Sequence, residues 1–250
     1  MLDNLRIMWH QGKQFIPDVT TAKVPGIFRG RPVISGTPAD GLILADLCPT
    51  KAISANPLCI DLGRCTFCGE CAVRFPDLIT FTQDYKLSSN ERERLIIKEG
   101  EEGPVLVNPD KVRKEIRRIF GSSLKLRQVS AGGDNSCELE LNATNNVQFD
   151  ISRFGIDFVA SPRHADGIVI TGPITRNMAP SLEICYNAIP NPKIIILAGT
   201  DAISGGIFED SPELDRSFVS NHHIDLYVPG NPVHPLTFIN GVLGLLGRSR

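Results

Sequence analysis

Four cysteines lie in a short stretch of the chain with the spacing of a ligand set. Three form the run Cys65-Thr-Phe-Cys68-Gly-Glu-Cys71, and the fourth, Cys48, precedes Pro49. Thiolates are soft ligands that suit either an iron–sulfur cluster or a tetrahedral Zn²⁺ ion. A C-x2-C-x2-C run combined with a Cys-Pro pair elsewhere in the chain favours the cluster. The spacing therefore predicts an iron–sulfur site, with a zinc site as the alternative.

The same stretch resembles bacterial ferredoxins. In these proteins each half of a two-cluster domain carries C-x2-C-x2-C-x3-C-P, and the fourth Cys of each run binds the cluster of the other half. The ligand set for one cluster is complete here and consists of Cys48, Cys65, Cys68 and Cys71. The set for the other cluster is absent, since its positions hold Pro38, Gly41, Leu44 and Phe75. The resemblance implies one [4Fe–4S] cluster beside a deleted one.

Length and composition limit the class of protein. A chain of 250 residues suits one large or two modest domains. Its formal net charge of -2 gives no reason to expect a nucleic-acid partner. Seven cysteines, four of them in a cluster pattern, indicate a reducing compartment rather than a disulfide framework. No apolar run approaches the roughly 18–20 residues of a membrane span, and no signal-peptide pattern follows Met1. We expect a cytoplasmic protein that reaches a membrane only through partner subunits.

The N-terminal half predicts a small α+β unit and a connection. Residues 1–85 are expected to contain the ferredoxin-like unit, with a strand over 78–82. Residues 86–120 are expected to be a connector: 86–107 is rich in charge and glycine and is predicted to be exposed, and a helix follows the N-cap Asn108 up to Phe120. One face of that helix would be apolar and the other basic, the basic residues being Lys111, Arg113, Lys114, Arg117 and Arg118.

Residues 121–250 alternate between strand and helix patterns. Strands are predicted over 124–129, 155–159, 167–171, 193–198 and 224–228, and helices over 137–145, 178–188 and 235–246, the last of them amphipathic. The continuous apolar run 193–198 is typical of a strand that is buried on both faces of a parallel sheet. The fold class is therefore α/β, with a doubly wound, flavodoxin-like sheet whose strands end at the ligand-binding edge.

The loops after these strands carry specific motifs. They read SAGGDNSCE from 130, SPRHAD from 161, TGPIT from 171, AGTDAISGG from 198 and VPGNPVHP from 228. This ordered set resembles the small subunit of membrane-bound (group 4) nickel–iron hydrogenases and the 20 kDa subunit of complex I, over about residues 121–247. In that family, C-x-x-C-E, G-x-C-A and P-G-C-P segments hold a [4Fe–4S] cluster near the active site of the large subunit. The matching positions here are Asp134, Cys137, Asp201 and Asn231.

The resemblance implies that this second site is degenerate, because only Cys137 remains a cysteine. Two carboxylates, an amide and one thiol are a poor soft-ligand set, so we expect no cluster there. The polar groups would hydrogen-bond to one another, to backbone and to water, or bind a hard divalent cation. Glu138 matches a family glutamate on a proton path, although a glutamate near a helix N-terminus also suits the helix dipole. Arg163 and His164 match a loop that faces the large subunit.

The combined hypothesis is an iron–sulfur electron-transfer subunit of a hydrogenase-like or complex I-like oxidoreductase. Its partners would be a large subunit and other iron–sulfur or membrane subunits, and it would lie peripherally on the inner face of the membrane. The sequence reveals no catalytic site within this chain. The alternative is a structural or assembly subunit whose cluster only holds the N-terminal unit together. A free-standing ferredoxin-type carrier would have no use for the second domain.

Overall fold

The computed structural model describes residues 2–12, 14–36 and 41–248. Its helices are α1 (Leu2–Gln11), α2 (Gly41–Leu47), α3 (Glu70–Arg74), α4 (Lys114–Phe120), α5 (Ser136–Ala143), α6 (Ala179–Ala188), α7 (Thr200–Ser204), α8 (Ser217–Asn221) and α9 (Pro235–Leu245). Its strands are β1 (Pro32–Ile34), β2 (Ile53–Ala55), β3 (Leu58–Asp61), β4 (Ile79–Phe81), β5 (Ile96–Lys98), β6 (Leu124–Ser130), β7 (Ile156–Phe158), β8 (Gly167–Thr171), β9 (Ile194–Ala198) and β10 (Leu226–Val228). No helix within these ranges is long and apolar enough to cross a membrane.

The C-terminal half is built on a five-stranded parallel sheet. Its strand order is β10-β9-β8-β6-β7. Numbered from β6, this is the order 2-1-3-4-5 of flavodoxin-like folds. Every residue of β8 and β9 is buried, as their continuous apolar patterns require. The predicted α/β class and parallel sheet are confirmed.

Helix α9 differs from the prediction in its surroundings. It was expected to be amphipathic, but all of its residues are buried. The helix packs on β10 and α5, and N-terminal segments cover its remaining sides. Asn240 Nδ2 donates to the carbonyl of Val19 (2.8 Å), and Ser88 Oγ donates to the carbonyl of Thr237 (3.0 Å). Because these covering segments come from far along the chain, local periodicity could not reveal the burial.

The N-terminal half contains two β–α–β halves. Strand β1 pairs antiparallel with β4, and β2 pairs antiparallel with β3. Helix α2 connects β1 to β2, and α3 connects β3 to β4.

Of the positions where the ligands of the second ferredoxin-type cluster would stand, Pro38 lies outside the described residues. Leu44 is fully buried and Phe75 packs against the same core, so apolar side chains occupy this region.

The expectation of an exposed connector over 86–107 is wrong for its first half. Leu87, Leu95 and Ile97 are buried, and β5 adds a third strand beside β3, with Ile97 opposite Ile60. Ser89 exchanges two backbone hydrogen bonds with Tyr227, of 3.1 and 2.8 Å. Only the stretch 98–104 is exposed throughout, as predicted. The segment is held by pairings with distant strands, which its charged composition conceals.

The helix predicted over 109–120 is broken in two. Asn108 caps the first turn as expected, because its side chain accepts from the backbone N–H of Asp110 (3.1 Å). That turn is a 3₁₀-helix, Pro109–Lys111, and the chain is then extended until α4 begins. Arg113 does not lie on a solvated basic face: its Nε and Nη2 each lie 3.0 Å from the carboxylate oxygens of Asp225, whose side chain is 3 % exposed. A buried carboxylate needs such a partner, which explains the break.

The two halves of the chain share one hydrophobic core. Leu58 and Ile60 of β3 belong to the same cluster of buried side chains as Ile170 of β8 and Ile203 of α7. The cysteine-bearing loops therefore lie against the carboxyl edge of the parallel sheet.

Candidate functional site

The four predicted ligands Cys48, Cys65, Cys68 and Cys71, here called the cysteine site, line one narrow cavity. Cys48 directly follows α2, Cys65 and Cys68 lie in the loop after β3, and Cys71 lies in the first turn of α3. Positive φ angles at Phe67 (55°) and Gly69 (83°) turn this loop back on itself. Cys65 and Cys71 are buried, Cys48 is half-buried and Cys68 is exposed. The fold thus brings together thiols from three separate segments.

The surroundings of the cysteine site are those of a soft-ligand site. The backbone N–H groups of Phe67 and Ala52 donate to the sulfurs of Cys65 (3.3 Å) and Cys48 (3.2 Å). Apolar side chains such as Ile53, Ile60 and Phe81 form much of the remaining wall. Burial raises the pKa of Cys65 to about 12 and that of Cys71 to about 11, and the charges of the neighbouring thiolates contribute. Binding a metal group here would displace thiol protons.

The donor set fits an iron–sulfur cluster, because thiolates, N–H···S hydrogen bonds and apolar walls are the features that hold and tune such clusters. Within the described ranges, however, no three or more His, Cys, Asp or Glu side chains are arranged to hold a metal ion. The four thiols line one cavity, and thiolate ligands suit a [4Fe–4S] cluster as well as a tetrahedral Zn²⁺ ion.

The degenerate set Asp134, Cys137, Asp201 and Asn231, here called the substituted site, lies at the carboxyl edge of the parallel sheet. Cys137 is in the first turn of α5 and Asp201 in the first turn of α7, and both are buried. Asp134 lies before α5 and is exposed, and Asn231 is half-buried in the loop after β10. Gly199 (φ 101°) passes so close to Cys137 that an added Cβ would lie 2.6 Å from its Sγ.

The expected mutual hydrogen bonding of the substituted site is not found among the described residues. Asp134 Oδ1 accepts from Ser136 through its backbone N–H (3.0 Å) and its hydroxyl (2.6 Å), and these bonds lower the pKa of Asp134. Asp201 Oδ1 is buried and has no hydrogen-bond partner in that part of the chain. Burial, followed by the charges of Asp134 and Glu138, raises the pKa of Asp201 to about 6. A buried carboxyl group without partners favours its neutral form.

Cys137, the one family cysteine that remains, lies in an unfavourable place for a thiolate. Burial is the main reason that its pKa rises to about 12, and the carboxylates of Glu138, Asp201 and Asp134 raise it further. The thiol is therefore protonated at neutral pH. It packs as a small apolar side chain against the closely approaching Gly199.

The remaining candidate residues have different environments. Glu138 is buried and accepts a hydrogen bond from the hydroxyl of Thr171 (2.6 Å). Arg163 and His164 are exposed on the 3₁₀-turn Pro162–His164. His234, a weak metal candidate by its place in the proline-rich loop beside Asn231, caps α9: its Nδ1 accepts from the backbone N–H of Leu236 (3.2 Å). The proline at the first position of α9 was the available signal for that cap.

Sequence reasoning missed the contacts that join the cysteine site to the substituted site. The hydroxyl of Thr200 donates to the carbonyl of Cys65 (2.8 Å) across a separation of 135 residues. The guanidinium of Arg64 forms two bonds, of 2.8 and 2.5 Å, with the carboxylate of Glu209. No local pattern marks either pair.

Comparison with known proteins agrees with the C-terminal architecture. The profile of the family "NADH ubiquinone oxidoreductase, 20 Kd subunit" matches residues 135–245. The chain is 33% identical over 129 residues to the "Probable membrane-bound hydrogenase subunit mbhJ" of Pyrococcus furiosus, covering 52% of this chain and 77% of the relative. It is 38% identical over 117 residues to an NADH-quinone oxidoreductase subunit of Geotalea daltonii, covering 46% of this chain and 68% of the relative.

Two further similarities cover about half of this chain. Formate hydrogenlyase subunit 7 of Escherichia coli is 39% identical over 134 residues, which cover 54% of this chain and 51% of the relative. A chain of the archaeal membrane-bound sulfane sulfur reductase aligns with a TM-score of 0.47 at 26% identity, covering 53% of this chain and 73% of that one. The first two relatives are matched over more than two thirds of their length, and the family profile covers most of the parallel-sheet domain. The chain belongs to the NADH ubiquinone oxidoreductase 20 kDa subunit family.

Proposed function

We propose that this chain is an iron–sulfur electron-transfer subunit of a membrane-associated oxidoreductase of the hydrogenase or complex I type. One [4Fe–4S] cluster would be held by Cys48, Cys65, Cys68 and Cys71. The single observation that carries the proposal is that these four thiols, from three segments, line one cavity while sharing the ferredoxin spacing. Residues 1–85 would form the cluster domain, 86–120 the connection, and 121–250 a cluster-free docking domain.

The residues around the cysteine site have definable tasks. A [4Fe–4S] cluster accepts and releases one electron. The four thiolates would hold it, and the N–H groups of Phe67 and Ala52 would stabilise their negative charge. The apolar wall would limit water access, which, together with the hydrogen bonds, sets the reduction potential.

The docking role is inferred from the relatives. Their names describe subunits of membrane-bound hydrogenase, NADH-quinone oxidoreductase and formate hydrogenlyase. We infer that this chain also assembles with a large subunit and with further iron–sulfur or membrane subunits, and that it lies on the cytoplasmic side of a membrane through them. The exposed Arg163 and His164 and the neighbourhood of Glu138 are the candidate contacts of the docking domain.

A second candidate function is that of a structural or assembly subunit. The substituted site favours it, because carboxylates and an amide replace three of the family's cluster ligands and interrupt the usual electron path. In this case the N-terminal cluster would only stabilise its own domain. Removing it would unfold the cysteine-bearing half, while electron flow through the assembled complex would survive.

Metal analysis of the anaerobically purified full-length chain tests the main proposal. We expect about four irons and four sulfides per chain and a single reduced-cluster EPR signal after dithionite treatment. Zinc in place of iron would overturn the proposal, and about eight irons would show that the substituted site binds a cluster after all. Re-oxidation of the reduced cluster on adding partner subunits would then separate electron transfer from the structural alternative.

A further inference from the structure

One buried residue contacts both sites. Thr200 is fully buried, and its hydroxyl donates to the carbonyl of the predicted cluster ligand Cys65 (2.8 Å). Its backbone N–H donates to the carbonyl of Gly230 (2.9 Å), directly before Asn231. Thr200 also directly precedes Asp201. A single residue thus connects the cysteine loop to two segments of the substituted site.

Close backbone approaches surround this contact. An added Cβ on Gly63 would lie 2.8 Å from Ile203 Cγ2, so only glycine allows the cysteine loop to pack so closely on α7. On the other side of Thr200, Gly199 touches Cys137. The two sites are therefore separated by little more than the thickness of the segment 199–203.

A charged pair crosses the same junction. Arg64, next to Cys65, forms its two-bonded pair with Glu209 in the turn that follows α7. Within the cysteine-bearing half, Arg92 forms a similar pair with Asp61, of 2.7 and 2.6 Å, at the end of β3. A cleft of about 450 Å³ beside the junction is lined by both Cys68 and Asn231. The cysteine site and the substituted site therefore border the same opening.

We propose that Thr200 is a positioning residue that seats the cysteine loop against the substituted site, so that the N-terminal cluster exchanges electrons with the partner subunit at this edge of the docking domain without a second cluster. This inference rests on the proposed function. One electron passes from the reduced cluster, which becomes oxidised, to a metal-based one-electron acceptor of the partner subunit, which becomes reduced. No proton or other atom is transferred in this step. The N-terminal cluster thereby takes over the relay position that the family's own cluster holds.

Restoring the lost ligands tests the proximity. We expect the full-length triple variant Asp134→Cys, Asp201→Cys, Asn231→Cys to bind about eight irons instead of about four. Its fully reduced EPR spectrum should show splitting from magnetic coupling of two neighbouring clusters. The matched control adds Cys137→Ser, which should return the protein to about four irons and an unsplit signal. Eight irons with two independent, uncoupled signals would overturn the inference.

The role of Thr200 is tested separately in the otherwise unchanged protein. Thr200→Val removes the donor to the Cys65 carbonyl at nearly constant volume, and we expect a lower reduction potential of the cluster, because a positive dipole next to it is lost. Thr200→Ser should restore the wild-type potential. Thr144→Val, which removes a buried hydroxyl at the C-terminal end of α5, the opposite end of that helix from Cys137, should leave it unchanged.

The two experiments have distinct failures. If the cluster had the same reduction potential in wild type, Thr200→Val and Thr200→Ser, the positioning role of Thr200 would be refuted. This conclusion would hold even if the triple variant bound only about four irons. Wild-type protein without iron would instead refute the proposed function itself. Four irons in wild type together with uncoupled clusters in the triple variant would overturn the inference and leave the proposed function intact.

Discussion

At two sets of positions the chain lacks the cysteines with which the families it resembles bind clusters, and the two regions differ in which residues stand there instead. In the cysteine-bearing half, the positions of the second ferredoxin-type cluster include the buried Leu44 and the packed Phe75. In the parallel-sheet domain, carboxylates stand at the substituted site, and one of them, Asp201, has a buried oxygen without a partner among the described residues. Apolar replacement closes the first region by ordinary packing, whereas polar replacement leaves a costly group inside the second.

This difference indicates that the two sets of positions are not equivalent in their effect on stability. A core that contains Leu44 gains from burial and needs no polar partner. A carboxyl group at the position of Asp201 lowers stability unless it is protonated or paired. Stability therefore does not account for a carboxyl group at this edge of the sheet, where the parallel-sheet domain meets the cysteine loop.

The largest expected effect concerns which cysteines hold the cluster. Cys65→Ser should abolish iron binding, because it removes a buried thiol of the proposed four-cysteine ligand set, whereas Cys137→Ser should retain about four irons. Iron and sulfide analysis of both full-length variants measures the difference. Equal iron loss in the two variants would eliminate the contrast between the regions and would place a cluster in the docking domain.

The next effect tests the unpartnered carboxyl group. Because burial raises the folded-state pKa of Asp201 to about 6 from a usual value of 3.8, its protonated form is favoured in the fold. Relative to Asp201→Asn, wild-type protein should therefore lose stability as the pH rises from about 4 to about 6, by about 2 kcal/mol, and remain less stable above that range. Denaturation curves of both proteins between pH 4 and 8 measure this.

Asp134→Asn is the matched control with the opposite sign. In wild-type protein, the hydrogen bonds from Ser136 lower the pKa of Asp134. The carboxylate of Asp134 therefore stabilises the fold at a pH above the usual pKa of an aspartate, and this contribution is lost in acid. The variant should be less stable than wild type at neutral pH. If the difference in the free energy of unfolding between wild type and Asp201→Asn did not change with pH, the carboxylate of Asp201 would have a partner in the fold.

The smallest effect concerns the ion pairs between the regions. Arg64→Gln breaks the two-bonded pair with the half-buried Glu209 and should lower the free energy of unfolding by about 1 kcal/mol. Lys51→Gln breaks the pair with Asp210 (2.6 Å), in which both side chains are largely exposed, and should change stability very little. Chemical denaturation at low and high salt compares the two. A larger loss in Lys51→Gln would contradict the burial argument.

The sequence was most informative where a pattern was local. The apolar runs of β8 and β9 predicted buried strands, and their alternation with helices predicted the parallel sheet. Spacing likewise singled out the four cysteines that the fold brings to one cavity. In each case the information lies within a few neighbouring residues.

The errors have one physical cause, which is pairing over long distances. Strand β5 forms because Ile97 lies opposite Ile60, although the segment around it is charged. Arg113 leaves its expected helix for Asp225, a partner 112 residues away. The bond between Thr200 and Cys65 could not have been predicted either, because one hydroxyl among many carries no signal for a carbonyl 135 residues earlier.

The shared core has a consequence for exchanging modules between relatives. A fragment cut at residue 85 would lose β5 and uncover Ile60, and a cut after Lys98 would still separate the cysteine loop from Ile203 and Thr200. The cysteine-bearing half therefore behaves as a lobe of one folding unit, and a chimaera would have to carry the segment 199–210 along with it. The two halves are therefore more than tethered to each other, since side chains that each half alone would expose to water lie in one shared interior.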